Sequence, residues 1–163
     1  MLARGIKPEL EAFDSGMVNY ARYLIHKGLL PPPHYFNLIF GNIACAQPDL
    51  LHIGVMVRDL PEDSVFSLGG VGQAQLPVNS LAASMGFGVR IGLEDNIWFD
   101  AERTRLASNA DLVSRIRTIV AANEREICSP GELRRLLGLK PGSGAYGLDT
   151  AARAGRGRQA DGQ

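Results

Sequence analysis

Short apolar stretches that read as strands alternate along the chain with longer segments whose apolar positions recur at helical spacing. Residues 8–14, PELEAFD, read as a strand, and 15–28, SGMVNYARYLIHKG, as a helix closed by Gly28. A second strand, 34–41 (HYFNLIFG), is entered through Pro31, Pro32 and Pro33. No helix interior holds such a run, because proline lacks the N–H and clashes with the preceding turn. A helix over 48–60 ends at Pro61, and a third strand spans 64–70 (SVFSLGG). The segment 74–86 supplies a helix with Pro77 in its first turn and Gly86 past its end. A fourth strand follows at 88–95, GVRIGLED.

Two more helical signals complete the pattern. Over 108–126, Leu112, Ile116 and Ile119 share one face, and Ser108 stands where a cap belongs. Over 129–139, Ser129 is followed by Pro130 at the first helical position and by Glu132, the signature of a capping box. From Pro141 onward the chain is rich in Gly, Ala and Arg with almost nothing large to bury. A disordered tail over 141–163 is therefore expected, with residues 1–140 as the folded unit. Repeated strand–helix units imply an α/β fold with a parallel sheet. Four such units make half of an eight-fold barrel or stand alone as an open doubly wound sheet, and spacing does not separate the two.

In either architecture chemistry collects at the C-terminal ends of the strands. The fourth strand carries an unusual load there. Period-two alternation sends Arg90, Gly92 and Glu94 to one face and leaves Asp95 at the rim, facing elsewhere. This is either a structural salt bridge or a ligand-binding and acid–base pair, the second being favoured because burying so much charge is costly. In the first strand Glu9 and Glu11 share a face, so one of them is expected to meet Arg90 or solvent. The run Gly69 to Gln75 makes a tight strand-to-helix turn or a phosphate cradle, but lacks the glycine order of a dinucleotide fingerprint. His26, His34 and His52 fall on a helix end, a strand start and an outer helix face, with no metal-ligand spacing between them.

Composition narrows the class. The chain has 163 residues, enough for one domain and fewer than the ~250 typical of an α/β barrel. Basic and acidic residues balance at 17 each, so no electrostatic case exists for nucleic acid or anionic membrane. Cys45 and Cys128 read as free thiols. The N-terminus lacks the apolar region of a signal peptide and no stretch is long enough to span a bilayer, so the cytoplasm is the expected compartment.

The strings RGIKPELEAFDSGM, GGVGQAQLPVNSLAASMGFGVRIGLEDN and ASNADLVSRIRTIVAANEREICSPGELRRLLGL, from Arg4 to Leu139, resemble the β-keto acid cleavage enzyme family, which includes the 3-keto-5-aminohexanoate cleavage enzyme. The resemblance implies part of a zinc-dependent TIM (β/α)8 barrel that condenses a β-keto acid with acetyl-CoA, giving acetoacetate and a new acyl-CoA. It assigns Glu94 as the carboxylate zinc ligand, Arg90 and Asp95 as the proton-abstracting pair, and Glu9 or Glu11 as a further acid facing the site. The family's other zinc ligands form an H-x-H motif on an earlier strand, which this sequence does not contain. The chain is therefore expected to correspond to the C-terminal half. It would act as a homo-oligomer or with the missing half, or else be a truncated, non-catalytic remnant.

Overall fold

The computed structural model describes residues 6–139. The expected tail over 141–163 lies outside them. Four strands, β1 (Glu9–Ala12), β2 (His34–Phe40), β3 (Ser64–Gly70) and β4 (Gly88–Val89), form one parallel sheet in the order β1-β2-β3-β4. The crossovers are α1 (Ser15–His26), α2 (Leu50–Arg58) and α3 (Gln75–Met85), the last entered through a 3-10 turn at Gly72–Ala74. Two helices follow the sheet, α4 (Asn109–Ala122) and α5 (Pro130–Leu136).

The caps explain the helix boundaries. Asp14 accepts from Met17 N and Asp49 from His52 N, each satisfying an orphan amide of the first turn. Ser108 with Asp111, and Ser129 with Glu132, form reciprocal capping boxes at the starts of α4 and α5. Gly86 ends α3 in the left-handed conformation, at φ 76°.

Register sorts the strand side chains into two faces. Leu10, Phe36 and Phe66 align across the sheet, as do Ala12, Leu38, Leu68 and Val89. These positions pack with Val18 and Ala21 of α1, Ile53 and Met56 of α2, and Val78 and Ala82 of α3 in one core. All three crossover helices thus cover the same face. A doubly wound sheet puts helices on both faces, an arrangement that residues 6–139 do not show. A second apolar cluster joins α4 to α3 through Ala83, Ile116 and Val120, with Val89 and Ile91 beside it.

The opposite face mixes polar side chains with Tyr35, Ile39 and Val65. Glu11, Asn37, Ser67 and Gly88 form one register row, while Glu9 lies in the row before it. At the middle strands this face is buried too, with Asn37, Ile39 and Ser67 covered on the side away from the crossover helices.

The fourth strand departs from expectation. It stops at Val89 rather than continuing to Asp95. The bond from Arg90 N to Leu68 O, 2.9 Å, closes the pairing with β3. Gly92 O then accepts from Asp95 N and Asn96 N, both at 3.3 Å, which folds the chain into a turn. Alternation therefore does not govern where Glu94 and Asp95 point.

Candidate acid–base site

Arg90 crosses the C-terminal end of β3, where its stem lies directly over Gly69. A Cβ built on Gly69 would stand 3.2–3.3 Å from Arg90 Cβ, Cγ and Cδ. The absent side chain leaves the guanidinium a path across the sheet toward β1. There Arg90 Nη1 bonds Glu11 Oε1 at 2.6 Å and stands 3.9 Å from Glu9 Oε1. Arg90 Nη2 bonds Glu94 Oε2 at 2.5 Å. The same nitrogen reaches Asp95 Oδ1 at 3.5 Å, while Nε reaches Asp95 Oδ2 at 3.3 Å. Sequence separation between Glu11 and Arg90 is large, and only the parallel sheet brings them together.

The two acids of the turn occupy opposite environments. Glu94 has 81% of its side chain exposed, against 7% for Asp95. Asp95 was expected at the rim facing elsewhere; it is the buried acid, because the turn at Gly92 swings it back toward Arg90. Burial pushes the Asp95 carboxyl above its ordinary pKa, outweighing the hydrogen bond and charge of Arg90, and the nearby Glu94 and Glu11 add to the rise. For Arg90 burial acts downward but is overcome by the hydrogen bond and charge of Asp95 together with Glu11 and Glu94, so its pKa lies above the ordinary value. The directions are compatible: one cation draws on several carboxylates, whereas the most buried carboxylate has a single cation and like-charged neighbours.

Glu9 and Glu11 both lie on the face opposite the crossover helices and have different partners. Glu11 is tied to Arg90. Glu9 accepts from Asn37 Nδ2, and Asn37 Oδ1 accepts from the Ser67 hydroxyl. Asn37 and Ser67 are buried, at 4% and 3% exposure. They were not singled out from the sequence, although a polar side chain in the middle of each of two apolar strands was visible there.

Further groups hold the acid-bearing turn. Gln75 Nε2 donates to Gly92 O at 2.9 Å, and Asn109 Oδ1 accepts from Leu93 N at 3.1 Å. Gly72 N donates to Asp95 O at 2.8 Å. The glycine-rich turn after β3 is close-packed, since a Cβ on Gly70 would lie 2.5 Å from Ala74 O. With the Gly72 amide engaged by Asp95, this turn buttresses the acid site.

The histidines lie away from the cluster. His52 is exposed on α2 and pairs with its capping Asp49, His26 ends α1, and His34 is buried at the opposite, N-terminal end of the sheet. Among the described residues no three His, Cys, Asp or Glu side chains converge to hold a metal ion. Catalytic zinc takes three protein ligands. Residues 6–139 alone therefore do not fit one, and Glu94 is engaged with Arg90.

A family model described as beta-keto acid cleavage enzyme matches residues 1–139. The chain belongs to the beta-keto acid cleavage enzyme family. It is 36% identical over 141 residues to the 3-keto-5-aminohexanoate cleavage enzyme of Fusobacterium nucleatum, covering 86% of this chain and 50% of that protein. The 3-dehydrocarnitine:acetyl-CoA trimethylamine transferase of Rhizobium meliloti is 35% identical, with 85% and 46% covered. The 3-oxoadipate:acetyl-CoA acetyltransferase of Cupriavidus necator is 32% identical, with 85% and 50% covered. The chain thus spans about half the length of these relatives.

Proposed function

We propose that this chain forms the C-terminal half of a (β/α)8 barrel that condenses a β-keto acid with acetyl-CoA, releasing acetoacetate and a new acyl-CoA. Its own contribution is the proton-handling pair Arg90–Asp95. Three features of the fold support the barrel: a parallel sheet, crossover helices on one face, and an opposite face that carries Glu9, Glu11, Asn37 and Ser67. Among the described residues β1 and β4 each pair on one side only, leaving two parallel edges for further strands. An open groove lined by Leu10, Met17, Tyr20 and Leu24 runs beside β1, where a preceding strand–helix unit would pack. Association with such units, from a second copy or from another segment, belongs to the same proposal. A cytoplasmic setting fits Cys45 and Cys128 as free thiols.

The observation that carries the reaction is the buried Asp95 carboxylate, raised in pKa and aligned by Arg90 at the end of a parallel sheet. A carboxylate with raised pKa is a stronger base, suited to removing a proton from the carbon between the keto and carboxylate groups of a β-keto acid. Arg90 fixes the direction of its oxygens and offsets the negative charge gathered from Glu11 and Glu94. Glu9, held by Asn37, adds a further carboxylate to the same face. Zinc, with Glu94 as one ligand, would need histidines from outside the described residues.

The test joins this chain to the half of the Fusobacterium relative that the match leaves uncovered. Turnover of a β-keto acid with acetyl-CoA is expected, and Asp95→Asn should lower kcat by about 10²–10⁴-fold with the fold intact. Near-normal turnover in Asp95→Asn would place the base elsewhere.

A further inference from the structure

Helix α3 carries two amide side chains where an inward helix face should be apolar. Gln75 is 2% exposed and Asn79 is fully buried, one turn apart on the same side. The next position on that side, Ala83, belongs to the cluster against which Val89 and Ile91 pack, so this face of α3 addresses β4 and the segment that follows it. Gln75 Nε2 donates to Gly92 O at 2.9 Å. The Asn79 amide faces two carbonyl oxygens, and assigning its nitrogen to that side lets it donate to Arg90 O at 3.0 Å and Leu68 O at 3.2 Å.

Arg90 O and Gly92 O belong to a stretch whose β pairing is running out, while Leu68 O lies in β3. β4 has only two residues, and beyond Arg90 N the pairing with β3 gives way to the Gly92 turn. Partly buried backbone carbonyls still favour donors. Asn79 supplies one to Arg90 O, and Gln75 adds to the Asp95 and Asn96 amides at Gly92 O, so the two side chains tie the segment to α3 at alternate residues. The position of Arg90 fixes the start of the guanidinium, and the position of Gly92 fixes the turn that swings Asp95 back.

We propose that Gln75 and Asn79 are positioning residues: a buried amide pair on α3 that sets the backbone from Arg90 to Gly92 and thereby the approach of Arg90 to Asp95. The inference rests on the proposed role of that pair for its catalytic consequence, but not for its structural one. The Arg90–Asp95 contacts, at 3.3 and 3.5 Å, lie near the limit of a hydrogen bond, so a small displacement of either backbone breaks them.

Two variants remove the donors while keeping most of the volume, Gln75→Met and Asn79→Leu. Val78→Ala, which trims a fully buried core side chain of the same helix, is the control for general loosening. The first readout is the Arg90 Nε–H resonance in the full chain, identified by its loss in Arg90→Lys. It should shift or broaden in Gln75→Met and Asn79→Leu and stay in place in Val78→Ala. The second readout is kcat in the joined enzyme, expected to fall by up to about 10²-fold with KM little changed, as for a misplaced reacting group. An unmoved resonance in both amide variants overturns the proposal, as does an equal shift in Val78→Ala. A shifted resonance with unchanged kcat upholds the positioning role and removes the catalytic role of Arg90–Asp95. If Asn79→Leu does not fold, Gln75→Met decides alone.

Discussion

Replacing Gly70 with alanine tests how tightly the turn after β3 is packed beneath the acid site. The new Cβ would stand 2.5 Å from Ala74 O, 2.6 Å from Ala74 C and 2.8 Å from Gln75 N. An ordinary contact begins near 3.4 Å, so these atoms must retreat by roughly 0.6–0.9 Å, and they are backbone rather than a flexible side-chain end. Overpacking of a tight site costs typically 1–3 kcal/mol, and a backbone obstacle places Gly70→Ala at about 3 kcal/mol or more. For a chain of this length that corresponds to a fall in Tm of roughly 6–12 °C. Gly92→Ala is the matched control: its nearest neighbour, Asn109 Oδ1, would lie at 3.8 Å, and the change should stay within about 0.5 kcal/mol. Thermal unfolding followed by circular dichroism at constant protein concentration measures both. A Gly70→Ala midpoint within about 2 °C of the parent, equivalent to ~1 kcal/mol or less, would refute the close approach of Gly70 to the start of α3.

Asp95 gives the pH dependence a definite sign. Its folded pKa lies above the ordinary value of 3.8, so the folded chain holds this proton more tightly than the unfolded one. The associated stability is fully present below that ordinary value and is lost as pH rises through the raised pKa. Asp95→Asn cannot ionise, so its stability relative to the parent should improve as pH rises across this window; urea titrations showing the opposite trend would contradict the burial argument. On the face opposite the crossover helices, Asn37→Leu leaves the buried Ser67 hydroxyl without its acceptor and should cost about 1–3 kcal/mol. Adding Ser67→Ala should recover part of that loss, and a double-mutant cycle with no coupling would exclude the Asn37–Ser67 bond.

Much of the fold was legible along the chain because the signals were local. Prolines before β2, the capping boxes at Ser108 and Ser129, and Gly86 after α3 act within one turn of their own position, and each element appeared where they placed it. Period-two patterning likewise identified Glu9 and Glu11 as sharing a face. Which face the helices cover was decided only by packing, because the helices each need a partner surface and the strand pattern alone does not name the side. The end of β4 was also a tertiary matter: alternation carries no information once the pairing with β3 stops at Arg90. Hence Asp95 and Glu94 exchanged their expected environments, the turn burying the first and exposing the second. Gln75 and Asn79 read as ordinary helix residues until α3 was laid against the end of the sheet. Sequence by itself determined the elements, their parallel order and the charged residues at their ends. Tertiary structure decided which carboxylate is buried, because burial depends on a turn whose hydrogen bonds come from α3, α4 and the loop after β3.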